Sequence, residues 1–218
     1  MVTKTLKPIA SDVLDRNGQQ GVPAISLHPL DLRIVEVPVV GDTEYISHRW
    51  SEKAKAMMLA AQTSKTRVKK QPKDPQADYE GSIYRLEDGR CGIPAAAFKV
   101  AIVGACRLFE GVKMTHVKTV IRVLGEGPEQ LVPIEAEPYM REDMVRLETG
   151  VADIRYRAGF WPWAVLLRVR YVATVIDLSS VINLIDAAGQ GGVGEWRPSA
   201  PKSSSGSFGT FHVERKEG

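Results

Sequence analysis

DMVRLETGVADIRYRAGFWPWAVLLRVRYVATVI, residues 143–176, decides how the chain is read. Both halves are rich in β-branched and aromatic residues, and both alternate, so they predict a long antiparallel pair of strands. Side chains two apart share a face. Arg155 and Arg157 therefore fall together, and Arg168 and Arg170 fall together on the neighbouring strand. Leu167, Val169 and Tyr171 point the other way, and Tyr156 belongs to that apolar side. The sheet is predicted to be apolar beneath and basic above. A basic open face is an electrostatic groove for a nucleic-acid backbone. The alternative is a solvated face on which these arginines pair with Glu142, Asp143, Glu148 and Asp153.

Upstream, LDLRIVEVPVV (30–40) reads as a strand, with Pro38 marking an edge or a bulge. A helix over 51–63 follows, capped by Ser47 or Ser51, with Ala54, Met57, Met58 and Ala61 as its apolar stripe. The polar loop after it collects Lys65, Arg67, Lys69, Lys70 and Lys73, with Asp74, Asp78 and Glu80 just beyond. SIYRLEDGRCGI (82–93) predicts a hairpin turning at Asp88-Gly89. Pro94 opens a helix to Glu110 with Phe98, Ile102, Ala105 and Phe109 on one face, ended by Gly111. THVKTVIRVLG (115–125) fits a short helix and then a strand, and LVPIE (131–135) another strand.

Downstream, a helix starts at Ser179 or Ser180. It shows Val181, Ile182, Leu184, Ile185 and Ala188 on one face and stops at Gly189. A glycine-rich loop to Gly209 and a short strand, TFHV, close the chain. The order strand–helix–strands–strand–helix–strand predicts an α+β fold: a ferredoxin-like (RRM-like) βαββαβ antiparallel sheet with both helices on one face. The helix, basic loop and hairpin at about 45–92 are an insertion. Residues 1–26 are predicted to be a flexible arm, 27–213 one domain, and 214–218 a charged tail.

The 218 residues, 44% hydrophobic and 25% charged, suit a globular domain with a core that needs no staples. A net charge of +3 permits nucleic-acid binding without demanding it. Cys91 and Cys106 form no disulfide framework and read as reduced thiols. No apolar run predicts a signal peptide or a membrane span, so the expected location is the cytoplasm. His28, His48, His116 and His212 lack metal-ligand spacing, and no catalytic elbow, HExxH or paired-carboxylate motif is present. No cofactor, metal or catalytic residue is predicted.

The glycine-rich loop is the second candidate site. Gly191, Gly192 and Gly194 free backbone N–H groups to approach phosphates. Trp196 and Phe208 suit base stacking, and Arg197 and Lys202 suit phosphates. The loop follows a helix, so it is neither a dinucleotide fingerprint nor a P-loop. Its other reading is a long connection with Trp196 tucked into the core.

Two segments resemble the RAMP superfamily, specifically the backbone subunits of CRISPR effector complexes. GIPAAAFKVAIVGACR (92–107) resembles the segment that opens the first core helix, with Ala96, Ala97 and Val100 departing from the pattern. Residues 181–213 resemble the helix, glycine-rich loop and strand of the second signature. The stretches SHRWSEKAKAMML and GVGEWRP look like those of small phage and prophage proteins. The resemblance implies side-by-side assembly along a single strand, with the glycine-rich and inserted basic loops on the backbone and Lys99 as a phosphate contact. The expected partners are single-stranded RNA or DNA, further copies of the chain in an oligomer or filament, and an effector-complex or phage protein; no membrane is expected. The alternatives are a phage structural or protein-interaction protein, including a mimic of an effector subunit, and a RAMP-type endoribonuclease.

Overall fold

The computed structural model describes residues 27–50, 52–63, 72–146, 150–201 and 205–215. In chain order the elements are β1 (Leu32–Gly41), β2 (Tyr45–Ile46), α1 (Glu52–Thr63), α2 (Pro75–Gly81), β3 (Gly92–Pro94), α3 (Ala95–Ala105), α4 (Met114–Val120), β4 (Ile121–Leu124), β5 (Leu131–Glu135), β6 (Pro138–Arg146), β7 (Ala152–Phe160), β8 (Ala164–Val172), α5 (Leu178–Gly191) and β9 (Phe211–Val213). The fold is α+β with antiparallel sheets. The predicted arm at 1–26 lies outside the described residues.

β8 is the spine of the first sheet. It pairs with β1 along its length on one side, and with β4 and β5 end to end on the other. β9 adds to the far edge of β1, and β3 adds to β5. Pro38 fits here because its carbonyl, and so its missing N–H, faces the edge where β9 has just ended; Glu214 donates its N–H to that carbonyl. Val37 and Val39 of β1 and Val165, Leu167, Val169 and Tyr171 of β8 are buried beneath α3 and α5. Ile34, Glu36, Leu166 and Arg168 are exposed on the other face, which nothing described covers.

The second sheet corrects the predicted strand pair. β7 does not fold back on β8. It is paired with β6 along its length and with β2 at its end. The chain runs on through Trp161-Pro162-Trp163 from one sheet into the other, as β1 runs on into β2, so two interrupted strands face each other across both sheets. Alternation assigns each strand its faces but not its neighbours. The reversal lies instead between β6 and β7, near Gly150, whose φ of 80° suits a turn.

Aromatic rings join the sheets. Tyr45 meets Phe160 at 5.6 Å and Trp163 at 6.0 Å between centroids; Trp163 meets Phe211 at 6.3 Å, and Phe211 meets Phe98 of α3 at 5.7 Å. Trp163 satisfies its indole N–H on the Thr43 carbonyl at 2.8 Å. Burial pushes the Tyr45 hydroxyl far above its ordinary value of 10.0, against a hydrogen bond with Ser47. The unfolded chain loses that proton near pH 10 and the folded chain keeps it, so stability is full below that pH and falls above it. The urea midpoint is expected to drop as pH rises from about 9.5 to 11. Tyr45→Phe is expected to flatten the drop; an unchanged slope in that variant would assign it to other tyrosines.

Several local expectations change. Ser47 is buried and donates to the Ser82 carbonyl at 2.7 Å instead of capping α1, and Ser51 lies outside the described residues. The α1 helix forms where expected, yet Met58 of the predicted stripe is exposed, as is Leu59 beside it. Part of the polar loop is the helix α2, capped by Asp74, which accepts from the Ala77 N–H at 3.1 Å. The 82–93 hairpin forms an isolated β-bridge, Arg85 to Cys91, instead of a strand ladder, and turns at Gly89, φ 89°. The Pro94 helix becomes a 3-10 turn at Cys106–Leu108, short of Glu110. Gly189 does not end α5, which continues to Gly191.

Candidate nucleic-acid interface

Register fixes what the open face presents. Arg170 stands opposite Ile34 on β1 and opposite Arg122 on β4; Arg168 stands opposite Glu36 and Leu124; Leu166 stands opposite Pro38. Arg168 lies 3.5 Å from Glu36. Arg122 and Arg170 have no ion-pair partner among the described residues. Like charges directly across a strand pair are destabilising. Arg122 and Lys118 both lie near enough to Lys99 to lower its pKa, so this end of the sheet is basic. The outward positions of β1, β4 and β8 carry no Phe, Tyr or Trp. Arg168 and Arg170 are thus placed as the alternation predicted. Arg122 was missed because its strand was recognised and its neighbour was not.

The other two predicted strand arginines belong to the second sheet. Arg155 lies 3.9 Å from Asp153. Arg157 is buried, only 3% exposed, in a network built on the register Arg141↔Arg157 and Asp143↔Arg155. Arg141 pairs with Glu44 and, at 2.9 Å, with Asp143. Burial opposes its charge, but those two carboxylates raise its pKa above the ordinary arginine value. Arg157 Nη1 lies 4.0 Å from Asp143 Oδ2 and 3.9 Å from Glu195 Oε2. Its guanidinium sits 5.1 Å over the Trp196 ring. Burial pushes its pKa down, against the pull of Glu195.

The glycine-rich loop is packed, not open. Gly192 has φ 67°, and a Cβ there would meet the Phe208 and Gly209 carbonyl oxygens at 3.0 Å; at Gly194, φ 82°, it would meet the Ile46 oxygen at 2.6 Å. Gly191 has only Ser199 within reach. Trp196 lies under the Arg157 guanidinium and meets the Phe208 ring, tilted by 49°, at 5.9 Å, and Arg141 lies over the Phe208 ring at 5.1 Å. It is therefore not an open platform for bases. Arg197 donates to the Gly194 carbonyl at 2.8 Å. Glu195 joins His48 at 2.6 Å, a hydrogen bond that lowers its pKa. These two, with Tyr84 and Arg197, line a groove of about 320 Å3 beside α3.

Lys99 is not free for phosphate. Its ammonium donates to the Val117 carbonyl at 3.2 Å and to that of Ile121, closing the C-terminus of α4. Burial lowers its pKa, and nearby Arg122 adds to the effect. Lys73 pairs with Asp153 at 2.5 Å and with the Ile154 carbonyl, tying the inserted loop to β7. Lys65, Arg67, Lys69, Lys70 and Lys202 lie outside the described residues. Among the described residues no three His, Cys, Asp or Glu gather as a metal site, and no helix is long and apolar enough to cross a membrane.

No family model and no curated protein matches the chain. Among solved structures it is similar to a chain of the Type III-B Cmr-beta bound to cognate target RNA. The match has 11% sequence identity and a TM-score of 0.45, and covers 84% of this chain and 59% of that one. The chain therefore spans about three fifths of that neighbour's length.

Proposed function

We propose that the chain binds single-stranded nucleic acid without cleaving it, laying the phosphodiester backbone across the open face of the first sheet. The observation that carries this is the unpaired juxtaposition of Arg122 and Arg170 across β4 and β8, with Arg168 two residues along. An isolated sheet gains nothing from facing two arginines, whereas a phosphate between them turns the repulsion into two charge-assisted contacts. With no Phe, Tyr or Trp at the outward positions of β1, β4 and β8, contact is to the backbone and largely indifferent to base sequence. The order β9–β1–β8–β4, with α3 and α5 on one side, supports the ferredoxin-like reading and leaves the opposite side for ligand. The motif likeness to CRISPR backbone subunits favours copies assembling along the strand in the cytoplasm. RNA and DNA are both acceptable to such a surface.

The test is fluorescence anisotropy of labelled single-stranded RNA and DNA across a salt series. Affinity is expected to fall steeply, with a log–log slope of about −0.7 for each phosphate held. No binding at low salt would sink the proposal and turn attention to a protein partner. Cleavage of the labelled RNA without metal would instead point to the His48–Glu195 pair in its groove.

A further inference from the structure

Arg157 is the most unusual side chain in the molecule. It is buried, yet among the described residues its Nε and Nη1 have no hydrogen-bond partner. Asp143 Oδ2, 4.0 Å away, is also buried and unpartnered. A buried guanidinium is normally held by close, bidentate bonds, and leaving it short of them is costly. On the loop side Glu195 Oε2 lies 3.9 Å away, and its other oxygen is committed to His48. The loop that carries Glu195 turns through left-handed backbone at Gly192 and Gly194, and Trp196 itself sits at φ 52°. That conformation is uphill for a tryptophan, and such positions concentrate at ligand clamps.

Charge gives the cluster a direction. Glu44 and Asp143 answer Arg141, Asp153 answers Arg155 at the rim, and Arg157 is left with Asp143 at 4.0 Å and Glu195 at 3.9 Å. With Glu195 withdrawn, the buried Arg157 keeps only Asp143 at 4.0 Å, a carboxylate that Arg141 already holds at 2.9 Å, and its Nη1 is left facing the vacated place. We propose that Glu195 stands in for an anionic ligand at Arg157, and that lifting the Gly192–Ser199 loop uncovers a phosphate site closed by the protein's own carboxylate. The physiological anion, a backbone phosphate, rests on the nucleic-acid reading above; the site itself does not. A strand bound on the open face would then gain a second, gated contact on the neighbouring sheet.

The experiment is a thermal-denaturation series in inorganic phosphate against chloride at matched ionic strength. It compares the wild-type chain, Glu195→Ala, Glu195→Gln and the double variant Arg157→Met/Glu195→Ala. Glu195→Ala is expected to melt about 6 °C lower in chloride, because a buried charge loses its partner, and to regain most of that in phosphate. The wild type is expected to respond by about 1 °C or less, and the double variant no more than the wild type. If Glu195→Ala does not fold, Glu195→Gln, which keeps an acceptor for His48, gives the same comparison. Equal phosphate responses in all folded variants would overturn the proposal.

Oligonucleotide anisotropy separates this from the broader reading. Glu195→Gln is expected to bind several-fold tighter than wild type. Phosphate rescue with no oligonucleotide binding by either protein keeps the site and removes the nucleic-acid function. Unchanged oligonucleotide affinity with no phosphate response removes the site and keeps the function.

Discussion

Gly189→Ala is expected to destabilise the protein by about 3 kcal/mol or more, at the upper end of overpacking costs. Gly189 lies inside α5 on its buried face, where β9 crosses it. A Cβ there would stand 2.6 Å from the Phe211 carbonyl carbon and overlap its oxygen, which is backbone and cannot rotate away. Relief requires α5 and β9 to separate, and that opens the cluster in which Phe211 meets Phe98 and Trp163. Domains of this kind hold about 5–15 kcal/mol in all, so the urea midpoint should fall by a large fraction. Gly104→Ala is the internal contrast. It sits in α3 with nothing within 4 Å of an added Cβ, and should gain up to about 1 kcal/mol from helix propensity. If Gly189→Ala kept the wild-type midpoint, the close crossing of α5 and β9 would be wrong.

That glycine also shows where the sequence stops being readable. A glycine after about three turns of apolar periodicity is the ordinary sign of a helix end, and nothing local distinguishes it from one kept small for a strand arriving 22 residues later. The same limit explains the other misreadings. Leu167, Val169 and Tyr171 against Arg168 and Arg170 fixed the two faces of β8, because alternation is a property of one strand. Pairing β8 with β1 instead of β7 depends on contacts more than a hundred residues apart. Arg155 and Arg157 looked equivalent on paper. Glu195, forty residues downstream, and Trp196 make one of them buried and leave the other at the rim. Lys99 reads as a solvent-facing helix lysine until the end of α4 is brought to it.

The arginine pair on the open face should separate function from stability by the sign of two effects in one variant. Arg122→Glu places a carboxylate directly opposite Arg170, replacing a repulsive cross-strand pair by an attractive one. The fold is expected to gain about 0.2–1 kcal/mol from that pair. Binding should move the other way. One phosphate contact is lost and a negative charge is set on the track, so affinity at low salt is expected to fall about tenfold, with the salt slope shallower by about 0.7–1. Adding Arg170→Glu should abolish measurable binding and return the stability gain, because two carboxylates then oppose each other. Glu36→Gln should act in the opposite sense, freeing Arg168 from its 3.5 Å contact and tightening binding. Arg33→Ala serves as the control for mere loss of positive charge, since Arg33 is already engaged by Asp31 at 2.8 Å. A more stable Arg122→Glu protein that bound as well as wild type would take the open face out of the interface. A weaker binder that was also less stable would mean that the fold, and not the track, had been damaged.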